Sequence, residues 1–355
     1  MTSEFVSLGH PDKIADFISE YILDKFLEHD KKVRYAVEVQ IKDNFVSLAG
    51  EITSTWVADD QTLTRFVKEA VEQIGYSHEY ASKWPEGATL DADTIEVVSH
   101  ISAQSPDIAQ GVDNDGWGDQ GIFWGMAVAE PNHDFLPADY WYAKTICQRL
   151  YDLALDGRGR WGLDIKTQVR VDEHNNPVEC IVAAPMLPQH AHLLVPEVKG
   201  VVASVLGTSD CPVVVNGTGS YVRHASMADC GTTGRKLAVD FYGGNCRIGG
   251  GSPWTKDATK ADLTLNLYAR QLALLFLAEK KVKVCYVGIS CSIGSSEVVV
   301  DFYTDPNTLV SSQKVKITPK EAIANLGLDK VSFSRLCREG LCSSENGGVE
   351  WFSIR

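Results

Sequence analysis

From Met227 to Asp262 the chain reads MADCGTTGRKLAVDFYGGNCRIGGGSPWTKDATKAD. A polar turn, Asp229 to Gly234, runs into the basic pair Arg235-Lys236, and a strand is expected after it. Two glycine clusters follow, Gly243-Gly244 and Gly249-Gly250-Gly251, then Lys256, Lys260 and Asp262 beside the start of a helical pattern. Glycines let a backbone come close to a ligand and turn N–H groups toward an anion. Lysine and arginine neutralise phosphate charge, and an aspartate at the end of such a run suits a hydrated metal ion. Glycines alone would mean a surface loop before an amphipathic helix. Basic groups interleaved with carboxylates read instead as a polyphosphate site. It is not a P-loop, because Lys256 follows Thr255 and precedes Asp257.

The elements that must position these groups come from a chain of 355 residues, long enough for two or three domains. With 44% hydrophobic and 23% charged residues it has an ordinary globular composition. A net charge of -14 disfavours a nucleic-acid binder. A phosphate ligand must therefore be met by local lysines or by metal. The nine cysteines include no CxxC pair, and Cys285/Cys291 and Cys337/Cys342 lack zinc-site spacing. They read as reduced thiols of a cytoplasmic protein. The opening MTSEFVSLGHPDK has no basic or apolar region of a signal peptide, and no segment approaches a membrane span.

Pro11 fits a first helical position, with Asp12 in the first turn. Ile14, Phe17, Ile18, Tyr21, Ile22 and Phe26 mark one helix face. Val33, Tyr35, Val37, Val39 and Ile41 alternate as a strand, with Glu38 on the opposite face. A second strand ends near Glu51, a helix spans Leu63 to Ile74, and residues 94–102 form a strand. The order recurs as helix 137–156, hairpin 164–184, helix 191–206 and strand 212–215. It recurs again as helix 257–280, strands 282–290 and 296–303, and a helix from 319. The expected class is α+β: three similar units, each a mixed or antiparallel sheet with helices on one face. The expected boundaries are 1–102, 122–226 and 227–355, with a divergent C-terminus in the last. The polar loop 103–121 between the first two units is expected to be an active-site lid.

Taken together, VSLGHPDKIAD, AGEIT (49–53), AQSPDIAQGV (103–112), GDQG (118–121), DIKTQVRV (164–171), NGTG (216–219), DCGTTGRK (229–236) and GGGSPWTKDATKAD resemble the S-adenosylmethionine synthetase family in order and spacing. The resemblance covers residues 1 to about 305 and implies a fold of three similar α+β units about a pseudo-threefold axis. It implies that the sulfur of L-methionine attacks C5′ of ATP, expelling tripolyphosphate that is then hydrolysed to pyrophosphate and phosphate. No enzyme nucleophile is needed, in keeping with the absence of a GxSxG signal.

By motif, His10, Lys166, Asp119, Arg235 and Lys256 match catalytic positions. ATP contacts are implied at His10, Asp164, Lys166, Tyr221, Asp229, Arg235, Lys236, Ser252, Lys256, Lys260 and Ile293. Glu51, Gln104, Asp119, Asp229 and Lys260 match methionine positions. Asp12 and Asp262 resemble Mg²⁺ ligands, and Glu38 the K⁺ carboxylate. Without the resemblance, His10 would be a helix cap and each carboxylate a solvated charge. Several positions depart from the family pattern. Leu8 replaces a glutamate, Ser220 an arginine, and Thr255 the glycine before Lys256; the 104–120 loop is short, and the C-terminal signature is absent. Two other readings stay open: another ATP-dependent transferase or kinase on the same scaffold, and a non-catalytic ATP-binding homologue. Strands apolar on both faces, at 95–102, 122–129 and 284–289, lead to the expectation of a homodimer, and the resemblance implies that its sites lie at the subunit interface.

Overall fold

The computed structural model describes residues 1–103 and 116–342, and in them twelve strands form three four-stranded sheets. Helices and sheets are mixed, the expected α+β class. Each sheet is centred on an antiparallel hairpin: β2–β3 (Arg34–Lys42, Phe45–Thr53), β6–β7 (Lys166–Val171, Pro177–Ala183) or β10–β11 (Val284–Cys291, Glu297–Tyr303). A long helix precedes each hairpin: Pro11–His29, Ala138–Leu155 and Ala261–Lys280. A further strand joins the second strand of each hairpin. β4 (Glu96–Ser102) and β8 (Val213–Val215) join in parallel, β12 (Leu309–Lys316) antiparallel.

The fourth strand of each sheet comes from elsewhere in the chain. β1 (Thr2–Val6) joins β6, β5 (Gly121–Val128) joins β10, and β9 (Gly231–Thr232) joins β2. The first unit thus lends a strand to the second, the second to the third and the third to the first. The sheets therefore do not follow the contiguous boundaries at 102, 122 and 227, although the helix–hairpin order within each unit does.

Local patterns explain the elements. In β2, Tyr35, Val37, Val39 and Ile41 are buried while Glu38 and Gln40 face outward. Helix Pro11–His29 begins with Pro11 at its first position and a first-turn Asp12. It is buried along Pro11–Leu23, so it runs through the core and does not ride on the surface. One apolar cluster joins the first two units, and a second fills the space between helix Ala261–Lys280 and the β5–β10–β11 strands.

Three local expectations change. After Arg235-Lys236 the chain makes a short helix, Leu237–Asp240, where a strand was expected, because the strand pairing falls earlier, at Gly231–Thr232. The helix expected from 257 begins at Ala261, because Lys256 bridges to Ala36 and Asp257 binds the backbone N–H of Tyr35 at 2.9 Å. Strands β1 and β12 and the helix Phe333–Glu339 were not anticipated.

Candidate active site

The turn of helix Pro11–His29 gathers one group of expected residues. His10 caps the helix, its Nδ1 accepting the Asp12 N–H at 3.1 Å. An accepting Nδ1 leaves the ring proton on Nε2, which is then a donor. Burial, seconded by the Lys236 ammonium, pushes the imidazole down to about 4, so it is neutral at physiological pH. Asp12 is buried, accepts the Thr232 N–H at 2.9 Å and pairs with Lys236, and the Arg235 guanidinium lies 3.7 Å away. Burial raises the Asp12 carboxyl, but Lys236 and the Thr232 N–H outweigh it, so the group stays below the usual range. Gly231 permits this docking: a Cβ there would sit 2.0 Å from the Pro11 carbonyl oxygen.

Asp164 stands on the other side of this group. It is buried, accepts the Ala225 N–H at 2.9 Å, and its carbonyl receives the Tyr221 hydroxyl at 3.3 Å. Burial lifts its carboxyl to about 6. Asp229 and Lys236 both act on Asp164, and Lys166 and Asp229 both act on the His10 ring, which places all of them around one centre. Lys166 is exposed and pairs with Glu4 at 2.9 Å; a surface pair of this kind is weak and readily exchanged for a ligand.

A second group lies along the glycine-rich stretch. Asp262, in the first turn of helix Ala261–Lys280, accepts the Gly251 N–H at 2.7 Å and pairs with Lys256. Lys260 is the N-cap position of the same helix. The Ser252 hydroxyl accepts the Trp254 N–H at 3.1 Å. Asp119 is exposed and joins this side through its carbonyl, which receives the Cys291 thiol at 3.3 Å; both Asp119 and Asp262 act on that thiol. Ile293, exposed in the β10–β11 turn, belongs here and not with Tyr221, because that turn is stitched to Trp117 by the Gly294 N–H at 2.8 Å.

Glu38 stands between the groups. Its carboxylate receives the Thr233 hydroxyl from the first stretch and the Thr255 hydroxyl, at 3.2 Å, from the second. Among the described residues, no hydrogen bond or ion pair runs directly from the His10–Asp12–Lys236 group to the Lys256–Asp262 group. Asp12 and Asp262, each matched to a Mg²⁺ ligand position, belong to different groups of one chain. Glu51 is half-buried in β3 opposite Ala36. Gln104, and with it residues 104–115 of the expected lid, lies outside the described residues.

Beneath the first group lies a buried charge network that motif reading did not single out. The Lys13 ammonium bonds Asp16 at 2.9 Å and Asp240 at 2.6 Å, and sits over the Trp254 ring. Glu20 is also fully buried. Removing one partner of such a pair typically costs about 3–5 kcal/mol. The only trace in sequence is the four-residue spacing of Asp12, Asp16 and Glu20 along an apolar helix. The glycines of the 249–251 run serve packing as well as anion contact: a Cβ at Gly249 would meet the Ile122 carbonyl oxygen at 2.0 Å. Two cavities, of 1030 Å³ near Lys25 and Lys320 and of 390 Å³ near Gln148 and Cys337, hold none of the expected site residues.

The oxygen donors fit the implied ions. Asp12 and Asp262 are hard carboxylates now paired with lysines that a metal-bound polyphosphate would draw away, and Glu38 with two hydroxyls is an all-oxygen set. All nine cysteines are free. Among the described residues no helix is long and apolar enough to cross a membrane.

Residues 1–106 match the family model described as S-adenosylmethionine synthetase, N-terminal domain, and residues 224–351 match its C-terminal domain. An S-adenosylmethionine synthase of Acholeplasma laidlawii is 32% identical over 99% of this chain and 95% of its own length. The solved structure of an unusual S-adenosylmethionine synthetase from Campylobacter jejuni superposes with a TM-score of 0.86 at 30% identity, covering 99% of this chain and 96% of its own. With the similarity running over nearly its whole length, the chain belongs to the S-adenosylmethionine synthetase family, the methionine adenosyltransferases.

Proposed function

We propose that this protein makes S-adenosylmethionine by in-line displacement. A lone pair on the methionine sulfur forms the new bond to C5′ of ATP. The C5′–O bond breaks, its electron pair passing to the tripolyphosphate. Water then cleaves the tripolyphosphate to pyrophosphate and phosphate in the same site. Catalysis is alignment plus stabilisation of a leaving group that gains charge. The observation that carries the reading is the neutral, Nε2-protonated His10 at a helix start, beside the Asp12–Lys236–Arg235 cluster. That proton donates toward the oxygen that departs from C5′.

Arg235, Lys236, Lys166, Lys256 and Lys260 hold the phosphates. Asp164, Tyr221, Ser252 and Ile293 receive the adenosine. Asp229, Asp119, Glu51, Gln104 and Lys260 orient methionine. Asp12 and Asp262 hold Mg²⁺, and Glu38 holds K⁺; bound there, the ions neutralise the polyphosphate oxygens. The lid spans 103–121, and the free thiols suit the cytoplasm.

The active protein is a homodimer whose sites combine the His10 group of one chain with the Lys256–Asp262 group of its partner. Among the described residues no hydrogen bond or ion pair links the two groups directly, which supports this. So does the outer face of the β4–β3–β2 sheet, where Phe45 and Val98 are 45% and 42% exposed. The test incubates protein with ATP, methionine, Mg²⁺ and K⁺, and follows S-adenosylmethionine by mass spectrometry. ATP consumption that is independent of methionine, with no S-adenosylmethionine formed, would replace the reading with a kinase-type one.

A further inference from the structure

Helix Pro11–His29 carries carboxylates at every fourth position from Asp12 to Asp24. All four accept backbone N–H groups, from three separate segments: the turn at 232–234, Thr255, and the start of helix Phe333–Glu339. Asp12 takes Thr232 at 2.9 Å, Asp16 takes Gly234 at 2.9 Å, and Glu20 takes Thr255 at 2.6 Å. Asp24 takes Phe333 and Ser334 at 2.8 and 2.9 Å. Residues four apart lie on one helix face, so this face is a row of anchors for chain remote in sequence.

Of the four, Glu20 holds the most demanding segment. Thr255 has φ of +75°, a left-handed conformation that a β-branched residue rarely adopts. Such a residue persists only where its surroundings over-determine it. Three bonds do so here. Its N–H goes to Glu20, its carbonyl accepts the Val37 N–H at 3.0 Å, and its hydroxyl reaches Glu38 at 3.2 Å. The next residue is Lys256, which bridges to Ala36 and pairs with Asp262. Among the described residues the second Glu20 oxygen is buried with no hydrogen-bond partner, so the Thr255 N–H is the hydrogen bond that offsets the cost of burying this side chain.

We infer that Glu20 is a positioning residue for the transferase reaction: through the Thr255 N–H it locks the strained backbone that aims Lys256 at the polyphosphate. It touches no substrate and acts through Thr255. The inference rests on the synthetase reading, which the unaltered protein's own turnover reports separately.

The test compares Glu20→Asp and Glu20→Gln, each alone and with Thr255→Gly, by kcat and by KM for ATP. Glu20→Asp withdraws the acceptor by about 1.5 Å, one C–C bond length. It should lower kcat about tenfold, with the larger effect on kcat than on KM. Glu20→Gln keeps an acceptor at the original reach and should stay within about twofold of the unaltered protein. This follows because the amide oxygen of glutamine can accept the Thr255 N–H from the place the Glu20 carboxyl oxygen now occupies. Measured against Thr255→Gly alone, which itself gives up the Thr255 hydroxyl on Glu38, adding Glu20→Asp should cost little, so that most of its loss is recovered, since glycine holds a left-handed φ without an anchor. Recovery at a second residue separates positioning from general support of the core. Full kcat in Glu20→Asp, equal loss in Glu20→Gln, or no recovery with Thr255→Gly overturns the inference. An arm independent of turnover and of any variant is amide hydrogen exchange in the unaltered protein. The Thr255 amide should exchange as slowly as that of Gly234, and rapid exchange there also overturns it.

Discussion

Lys236→Met and Lys256→Met each disarm one of the two groups, and a mixture of the two variants tests whether the groups meet across subunits. Lys236 is the ion partner of Asp12, which is 2% exposed; Lys256 is the ion partner of Asp262. In the proposed reaction each lysine is one charged donor to the leaving polyphosphate. Losing it raises the barrier by about 3 kcal/mol, roughly a hundredfold in rate. Lys236→Met also strips a buried carboxylate of its partner, so assays belong well below its lowered melting point. Now let the two variants exchange subunits. In a heterodimer one site carries both lesions, and the other pairs an intact His10 group with an intact Lys256 group. With random exchange half the dimers are mixed and half their sites are whole, so activity should return to about a quarter of the unaltered value. The assay is S-adenosylmethionine formation after co-refolding, with mixed dimers confirmed by mass. Mixed dimers that stay as inactive as their parents would place both lysines at one site within a single chain and refute the shared-site argument.

His10→Ala should slow alkylation by about a hundredfold while barely affecting hydrolysis of added tripolyphosphate; His10→Ser should regain the cap, about 1 kcal/mol, but not the rate. His224 is fully buried between the Val222 carbonyl and the Tyr80 hydroxyl, and burial holds its pKa near 4. Between about 6.5 and about 4 the unfolded chain binds a proton at this residue that the native one refuses. This residue's contribution is therefore present above 6.5 and is lost as pH falls through that window. The melting temperature of His224→Gln should show less of that acid slope. Chelation of Mg²⁺ should abolish turnover, and Glu38→Gln should flatten the response of turnover to added K⁺; a preserved K⁺ response would remove Glu38 from that role. Dilution monitored by light scattering should lower specific activity together with mass, whereas full activity at single-chain mass would exclude the dimer.

Most of the elements were legible from local sequence because their causes are local. Helix Pro11–His29 follows from a capping residue, a proline and an apolar stripe within twenty residues. β2 follows from strict alternation, which also placed Glu38 on the outer face. The family motifs pointed to the proposed site residues because the proposed chemistry needs particular side chains at particular spacings. Tertiary structure alone decided which strands share a sheet. β1, β5 and β9 pair with strands more than a hundred residues away, and backbone hydrogen bonds of that kind leave no mark on either partner's side-chain pattern. The division of the site into two groups was hidden for the same reason: Gly251 and Asp262 share a helix start, while Asp12 meets Thr232 and Lys236 only because Gly231 lets two remote segments touch. The carboxylates at 16 and 20 were the least legible. In sequence they look like solvated charges on a helix, and only burial against the turns at Gly234 and Thr255 turns them into anchors.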